Sequence, residues 1–236
     1  MGYEVRGLAK SFGELRVLGG LDLEFPAGRV TVVLGPSGCG KTSLLNILAG
    51  LDADYSGEVR GFGPGKASYV FQEDRLMPWM SAMDNVALVL RRFMGKERAM
   101  AAAEEALEAV GLQGSRGSKP GAMSGGMRRR VALARAFAYP SEVLLLDEPF
   151  SSLDLRTRIS VMDLFLDLRE RDGRSAVVVT HDVREAIYLG SRIATLSDKP
   201  AKARDVFDLT LAKADRGFTS RAAASFEARL YESILS

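Results

Sequence analysis

Polar and apolar residues alternate from Leu21 to Phe25, with Asp22 and Glu24 between Leu21, Leu23 and Phe25. That is the period of a strand with one buried face. Phe12-Gly13 reads as the turn before it. Residues 29–34, 143–146 and 176–180 are runs of apolar and β-branched residues of strand length, and 66–71 is a further strand ending at Gln72. Helical spacing takes over at 44–50 and again at 96–110, which Gly111 closes. Another helix starts after Ser124 and runs through Arg135 towards Tyr139-Pro140. Asp84 is the expected N-cap of a helix beginning Asn85-Val86. In 155–171 an amphipathic stripe holds Leu155, Ile159, Met162 and Phe165, and His181-Asp182 opens the next helix. The glycines of 56–65 read as hairpin turns. An edge strand at 205–209 and a helix at 221–235 complete the chain.

Strands alternating with helices predict a mainly parallel sheet. Residues 73–140, rich in Ala, Met, Leu, Arg and Glu, read as a helical insertion between two halves of that α/β core. Ligands in such sheets bind at the C-terminal ends of strands, so the residues just past each apolar run are the ones to read for chemistry.

Gly35-Pro36-Ser37-Gly38-Cys39-Gly40-Lys41-Thr42-Ser43 follows the first core strand and precedes a helix. It fits Gly, four residues, Gly-Lys-Thr, the phosphate-binding pattern. Glycines at 35, 38 and 40 admit backbone conformations that a side chain forbids, so the loop's N–H groups can form a nest for phosphate oxygens. The helix N-terminus points at the same anion. Lys41 adds a cation for the terminal phosphates, and Thr42 places a hydroxyl for Mg2+. The ligand expected here is a nucleoside triphosphate.

Asp147 ends the next apolar run, where a P-loop NTPase places the acid that holds magnesium. Glu148, one residue on, is placed to orient or deprotonate an attacking water. His181, the only histidine, directly follows a strand and can reach a γ-phosphate oxygen or that water. Gln72, at another strand end, is positioned to sense the metal or water and report it to the helices after it. Cys39 lies near Lys41 and a helix N-terminus, where a thiol pKa tends to fall; the alternative is a small buried, inert residue.

Bulk properties narrow the class. The 236 residues are 47% hydrophobic and 26% charged, with a net charge of +2. A balance so close to neutral argues against nucleic-acid binding by bulk electrostatics. One cysteine forms no internal disulfide, which suits a reducing compartment. No apolar run approaches the ~20 residues that span a bilayer, and the first residues carry neither a signal-peptide core nor a myristoylation pattern. Work at a membrane would require another protein to hold the chain there.

In order, Phe12, Gly35–Ser43, Gln72, Met123-Ser124-Gly125-Gly126-Met127, Asp147-Glu148, Ser151-Ser152-Leu153-Asp154 and His181 resemble an ABC-transporter ATPase subunit over essentially the whole chain. The resemblance implies one ABC ATPase domain over 1–236. Its P-loop NTPase (RecA-like) core and N-terminal antiparallel β subdomain would occupy 1–72 and 141–236, with the helical subdomain at 73–140. It implies a head-to-tail dimer of two copies with ATP sandwiched between them. Phe12 would stack on adenine, Lys41 and Thr42 would hold the β/γ-phosphates and Mg2+, and Gln72 would link the site to an integral-membrane permease. Ser124, Gly125 and Gly126 would cap the γ-phosphate bound to the other copy, and Asp154 would communicate between sites. Two departures from the common Leu-Ser-Gly-Gly-Gln stand out: Met123 conserves volume, whereas Met127 loses an amide. Arg128-Arg129-Arg130 then open the helix, either as a solvated face or as positive potential near the partner's phosphates.

The stretch 70–79 and the Met127 ending resemble importers of the nitrate, sulfonate and taurine group. That implies uptake of a small anion, an extracytoplasmic solute-binding protein, no nucleic acid, and a place at the cytoplasmic face of the inner membrane. A lipid- or lipoprotein-type transport ATPase and a soluble ABC ATPase are the alternatives. Trp79, the only tryptophan, either packs inside the helical lobe or lines the groove that receives the permease.

Overall fold

A computed structural model describes residues 2–235. The elements run β1 (Tyr3–Phe12), β2 (Leu15–Phe25), β3 (Val30–Leu34), α1 (Lys41–Leu48), β4 (Ser56–Arg60), β5 (Ala67–Val70), α2 (Ala82–Leu90), α3 (Lys96–Ala109) and α4 (Gly125–Ala138). Then come β6 (Val143–Asp147), α5 (Leu155–Asp172), β7 (Ser175–Thr180), α6 (Val183–Leu189), β8 (Arg192–Leu196), β9 (Ala203–Asp208) and α7 (Arg221–Leu235). The order of strands and helices is that of a mixed α/β fold.

Residues pack into two compact units. The first comprises Met1–Ala67, Leu145–Glu148 and Arg174–Ser236. Within it β2, β1 and β4 form an antiparallel sheet in that order. Leu21, Leu23 and Phe25 are buried and Asp22 and Glu24 exposed, as the alternation predicts. Phe12 closes β1 rather than lying in the turn, which is Gly13–Glu14. Of the glycines at 56–65, Gly57 lies inside strand β4 and only 64–66 form a turn, which joins strands of different sheets rather than a hairpin. Gly57 takes φ +98, and a Cβ there would come within 2.5 Å of the Gly7 carbonyl oxygen, so glycine permits the close strand pairing. In the second sheet β3 lies between β7 and β8, parallel to both, and β9 pairs antiparallel with β8 as its edge. β8 gives no sequence signal of its own: it is short, with Ile193 to Leu196 all buried. The helix after the phosphate loop begins at Lys41, three residues before the expected start at 44.

The second unit comprises Ser68–Leu144 and Pro149–Gly173. It takes in α5 together with the helices of the expected 73–140 segment, because α5 packs on α4. Ala82, Val86, Leu90, Ala103, Leu107, Val131 and Ala134 form part of its core. The cap of α2 is Ser81, not Asp84: Asp84 N–H donates to Ser81 Oγ at 3.1 Å, and Ser81 Oγ donates to Asp84 Oδ2 at 2.6 Å. On α5 the buried positions are Val161, Met162 and Phe165, whereas Leu155 is exposed. Met127 packs against the helical core, which accounts for an apolar side chain where the common signature has Gln.

Candidate functional site

The phosphate loop leaves the end of β3 and enters α1 through two left-handed glycines, Gly38 (φ +76) and Gly40 (φ +120). Gly40 is also hemmed in, since a Cβ would lie 2.7 Å from Val17 Cγ1. Gly35 is a different case from the expectation. Its φ is not positive, and a Cβ would meet Cys39 Sγ and Leu196 Cβ, both at 3.1 Å. Close approach, rather than a special dihedral, is what it supplies. No side chain caps α1 at Gly40, so the donors of its first turn are left to oxygens from elsewhere.

Lys41 opens α1 and is buried. Its Nζ donates to the Gly35 and Pro36 carbonyls, each at 2.9 Å, and lies 3.7 Å from Glu148 Oε1. Thr42 Oγ1 donates to Asp147 Oδ1 at 3.2 Å. Glu148 completes the group: His181 Nδ1 is 3.1 Å from its Oε1. The backbone of Glu148 sits at φ +41, a region that costs a non-glycine residue about 1–3 kcal/mol. Its N–H donates to the Val179 carbonyl at 3.0 Å, which anchors the turn on β7. The first unit thus brings together Lys41 and Thr42 at the start of α1 with Asp147, Glu148 and His181 at or just after strand ends. Ser37 and Gly38 are exposed, Pro36, Gly40 and Ser43 half-buried. Phe12 is 54% exposed on the same unit, with Lys10 Nζ 4.7 Å from its ring centroid.

Cys39 departs from expectation. It is buried, and desolvation pushes the thiol pKa up despite the nearby Lys41 cation. The small, inert reading of this residue is the one the structure supports.

These donors fit magnesium. Among the described residues no cluster of three or more His, Cys, Asp or Glu could hold a metal. Mg2+ needs none, because it keeps several waters and binds through one or two protein oxygens plus substrate phosphates. The Thr42 hydroxyl and Asp147 carboxylate supply oxygens of that kind.

Gln72, Ser124, Gly125 and Gly126 belong to the second unit. Gln72 is exposed. Ser124 caps α4, its Oγ accepting from Met127 N–H at 3.2 Å. Gly126 is buried, and a Cβ would lie 2.5 Å from Thr157 Cγ2; Gly125 has no such neighbour. Asp154 caps α5 by accepting from Thr157 N–H at 3.1 Å. Trp79 is 68% exposed, which excludes the packed-inside reading within this unit.

Of the three arginines, Arg129 does not lie on a solvated face. Arg129 is 2% exposed and donates to the Phe71 and Gln72 carbonyls at 2.7 and 2.6 Å. Arg128 donates to the Met123 carbonyl, and Arg130 to the Val110 carbonyl and Ser160 Oγ. Sequence reasoning missed this use. The only signal for it is a run of cations at a helix start, where the dipole disfavours them.

Comparisons with known proteins agree with this outline. A family model described as ABC transporter matches residues 18–151. The chain is 41% identical over 216 residues to an aliphatic sulfonates import ATP-binding protein of Burkholderia lata, covering 89% of this chain and 78% of that one. It is 47% identical over 195 residues to another, from Pseudomonas syringae pv. tomato, covering 83% and 70%. Among solved structures it resembles a dimeric post-hydrolysis state of the ATP-binding cassette MJ0796 bound to ADP and Pi. There the TM-score is 0.77 and the identity 31%, over 89% of this chain and all of the other.

Proposed function

The chain belongs to the ABC transporter family as the ATP-hydrolysing subunit of an importer, and on that premise we propose that its cargo is a small sulfonate or related organic anion. The observation that carries the cargo is the 41–47% identity to sulfonate import subunits. Two copies of the chain work as a pair beneath a membrane permease, fed from outside by a solute-binding protein, without nucleic acid. No helix among the described residues is long and apolar enough to cross a membrane, in keeping with attachment through the permease at the cytoplasmic face.

Each residue's task follows from its chemistry. The glycine loop and α1 N-terminus bind the triphosphate by backbone N–H groups, and Lys41 offsets its charge. Thr42 and Asp147 would hold the metal; magnesium, when bound, neutralises charge on the phosphate oxygens. Glu148 is the general base: its carboxylate takes the proton of the attacking water. His181 holds that carboxylate at 3.1 Å and stands ready for the γ-phosphate, while Phe12 stacks on the adenine. Ser124, Gly125 and Gly126 cap the γ-phosphate of the other copy, so that closure requires an intact triphosphate.

Reconstituted in vesicles with its permease and binding protein, the chain should drive uptake of a labelled alkanesulfonate only with Mg-ATP, and Ser124→Ala should abolish that uptake. Uptake of a lipid analogue in place of the sulfonate overturns the cargo. ATP cleavage strictly proportional to protein concentration on dilution, and indifferent to Ser124→Ala, overturns the paired site.

A further inference from the structure

The segment between β5 and α2 is irregular, yet it is held more firmly than a surface loop needs to be. Arg129, fully buried on α4, grips the Phe71 and Gln72 carbonyls with its two terminal nitrogens, at 2.7 and 2.6 Å. Six residues along the same helix, Arg135 grips the Asp74 and Arg75 carbonyls at 2.9 and 2.8 Å. Asp74 closes the arrangement, 3.2 Å from Arg129 Nε and 3.6 Å from Arg128 Nε. Its carboxyl pKa is raised because burial outweighs the attraction of these arginines. Arg75 sits at φ +44, a strained backbone that persists only where its surroundings over-determine it. Beyond it, buried Asn85 holds the next stretch, accepting from Met77 N–H at 2.7 Å and donating to the Met77 and Ser81 carbonyls at 3.2 and 2.9 Å. Gln72 and the exposed Trp79 therefore ride on a segment pinned at both ends, and four of its carbonyls are held by α4.

Ser124 caps the N-terminus of this same helix, just over one turn before Arg129. A planar guanidinium bonded to two successive carbonyls transmits both displacement and rotation, whereas a lysine ammonium would act as a point charge. We propose that Arg129 is the positioning residue that couples the Ser124 cap to the 71–79 segment: it fixes the Gln72 backbone to the N-terminal part of α4, so that γ-phosphate capture at Ser124 displaces that segment as one piece. This rests on the proposed roles of Ser124 and Gln72. It assigns to one buried arginine the mechanical link between nucleotide capture and the surface bearing Trp79.

Trp79 is the only tryptophan, so its fluorescence reports on that segment alone. In a Glu148→Gln background, which retains ATP, Mg-ATP should change the emission and acrylamide quenching of Trp79. Adding Asp74→Asn should leave the response in place, because Arg129 keeps both carbonyls. Adding Arg129→Met with Asp74→Asn removes the arginine together with the carboxylate that faces it, and should abolish the Trp79 response while binding of a fluorescent ATP analogue is unchanged. Arg129→Lys, which keeps the charge but not the fork, should not restore it; it also serves as the second variant should the methionine form not fold. A full response in either Arg129 variant overturns the proposal. Absence of any response in Glu148→Gln itself, with ATP bound, overturns it from the other side. If Ser124→Ala leaves that response intact, the γ-phosphate-cap reading fails instead, and the proposal built on it falls too.

Discussion

The helix after the phosphate loop and the helix after Met123 both begin in small polar sequence, yet their first turns are closed differently. α1 starts at Gly40 with φ +120 and no side-chain cap. α4 starts at Ser124 in extended backbone and caps itself through Met127 N–H. A capped helix has one of its first-turn donors satisfied without a ligand, and Ser124 still has a hydroxyl proton to donate. An uncapped one gains from an anion placed at its end. The loop end is therefore built around its ligand, whereas the signature end is built first as structure. The same contrast holds for the glycines: Gly38 and Gly40 serve backbone conformation in the loop, while Gly126 serves packing against Thr157.

The largest effect belongs to the loop side. Glu148→Gln removes the proton acceptor beside Lys41 and His181 while leaving the loop donors intact. Turnover should fall about 10²–10⁴-fold with ATP binding retained, as measured by phosphate release and equilibrium nucleotide binding. Undiminished steady-state hydrolysis would remove Glu148 from its role and leave the strained backbone at 148 without one.

Next comes a paired test at the signature side. Gly126→Ala drives a Cβ to within 2.5 Å of Thr157 Cγ2, and overpacking of that sort costs about 1–3 kcal/mol. The melting temperature should drop by several degrees. Gly125→Ala meets nothing nearer than 3.8 Å and should melt like the parent, so any loss of ATP-dependent pairing in it reports on the phosphate cap alone. Equal melting temperatures for the two variants would erase the distinction drawn between the glycines.

The smallest effect concerns Cys39. Burial raises its pKa, so less thiolate is present at neutral pH than in a free cysteine. Alkylation should be slow there, accelerate as pH rises, and not depend on ATP. The stability gained by keeping this thiol neutral is present at low pH and is lost as pH rises through its raised pKa. Fast labelling at neutral pH that ATP blocks would show that the loop opens Cys39 to solvent.

Much of the fold and site is legible in the sequence, and for local reasons. The alternation at 21–25 marks β2, and the apolar runs end where Asp147 and His181 stand. The phosphate-loop spacing declares itself because nine adjacent residues do one job. The features that stay hidden are non-local. Asp84 looks like a cap until Ser81 is seen capping the same turn. Leu155 looks like part of the α5 stripe, but that end of the helix faces solvent. Gly57 reads as a turn residue until its strand partner is found within 2.5 Å of the missing Cβ.

By itself the sequence determined which residues carry phosphate chemistry and in what order of strands and helices they stand, because periodicity and spacing act over a few bonds. Only the tertiary structure decided that Glu148 adopts a left-handed turn between Lys41 and His181, that Cys39 is sealed from solvent, and that Arg129 leaves the surface to hold Gln72. Charge, strain and burial at those positions depend on neighbours distant in the chain. A cation next to two other cations reads the same on paper whether it faces water or two carbonyls.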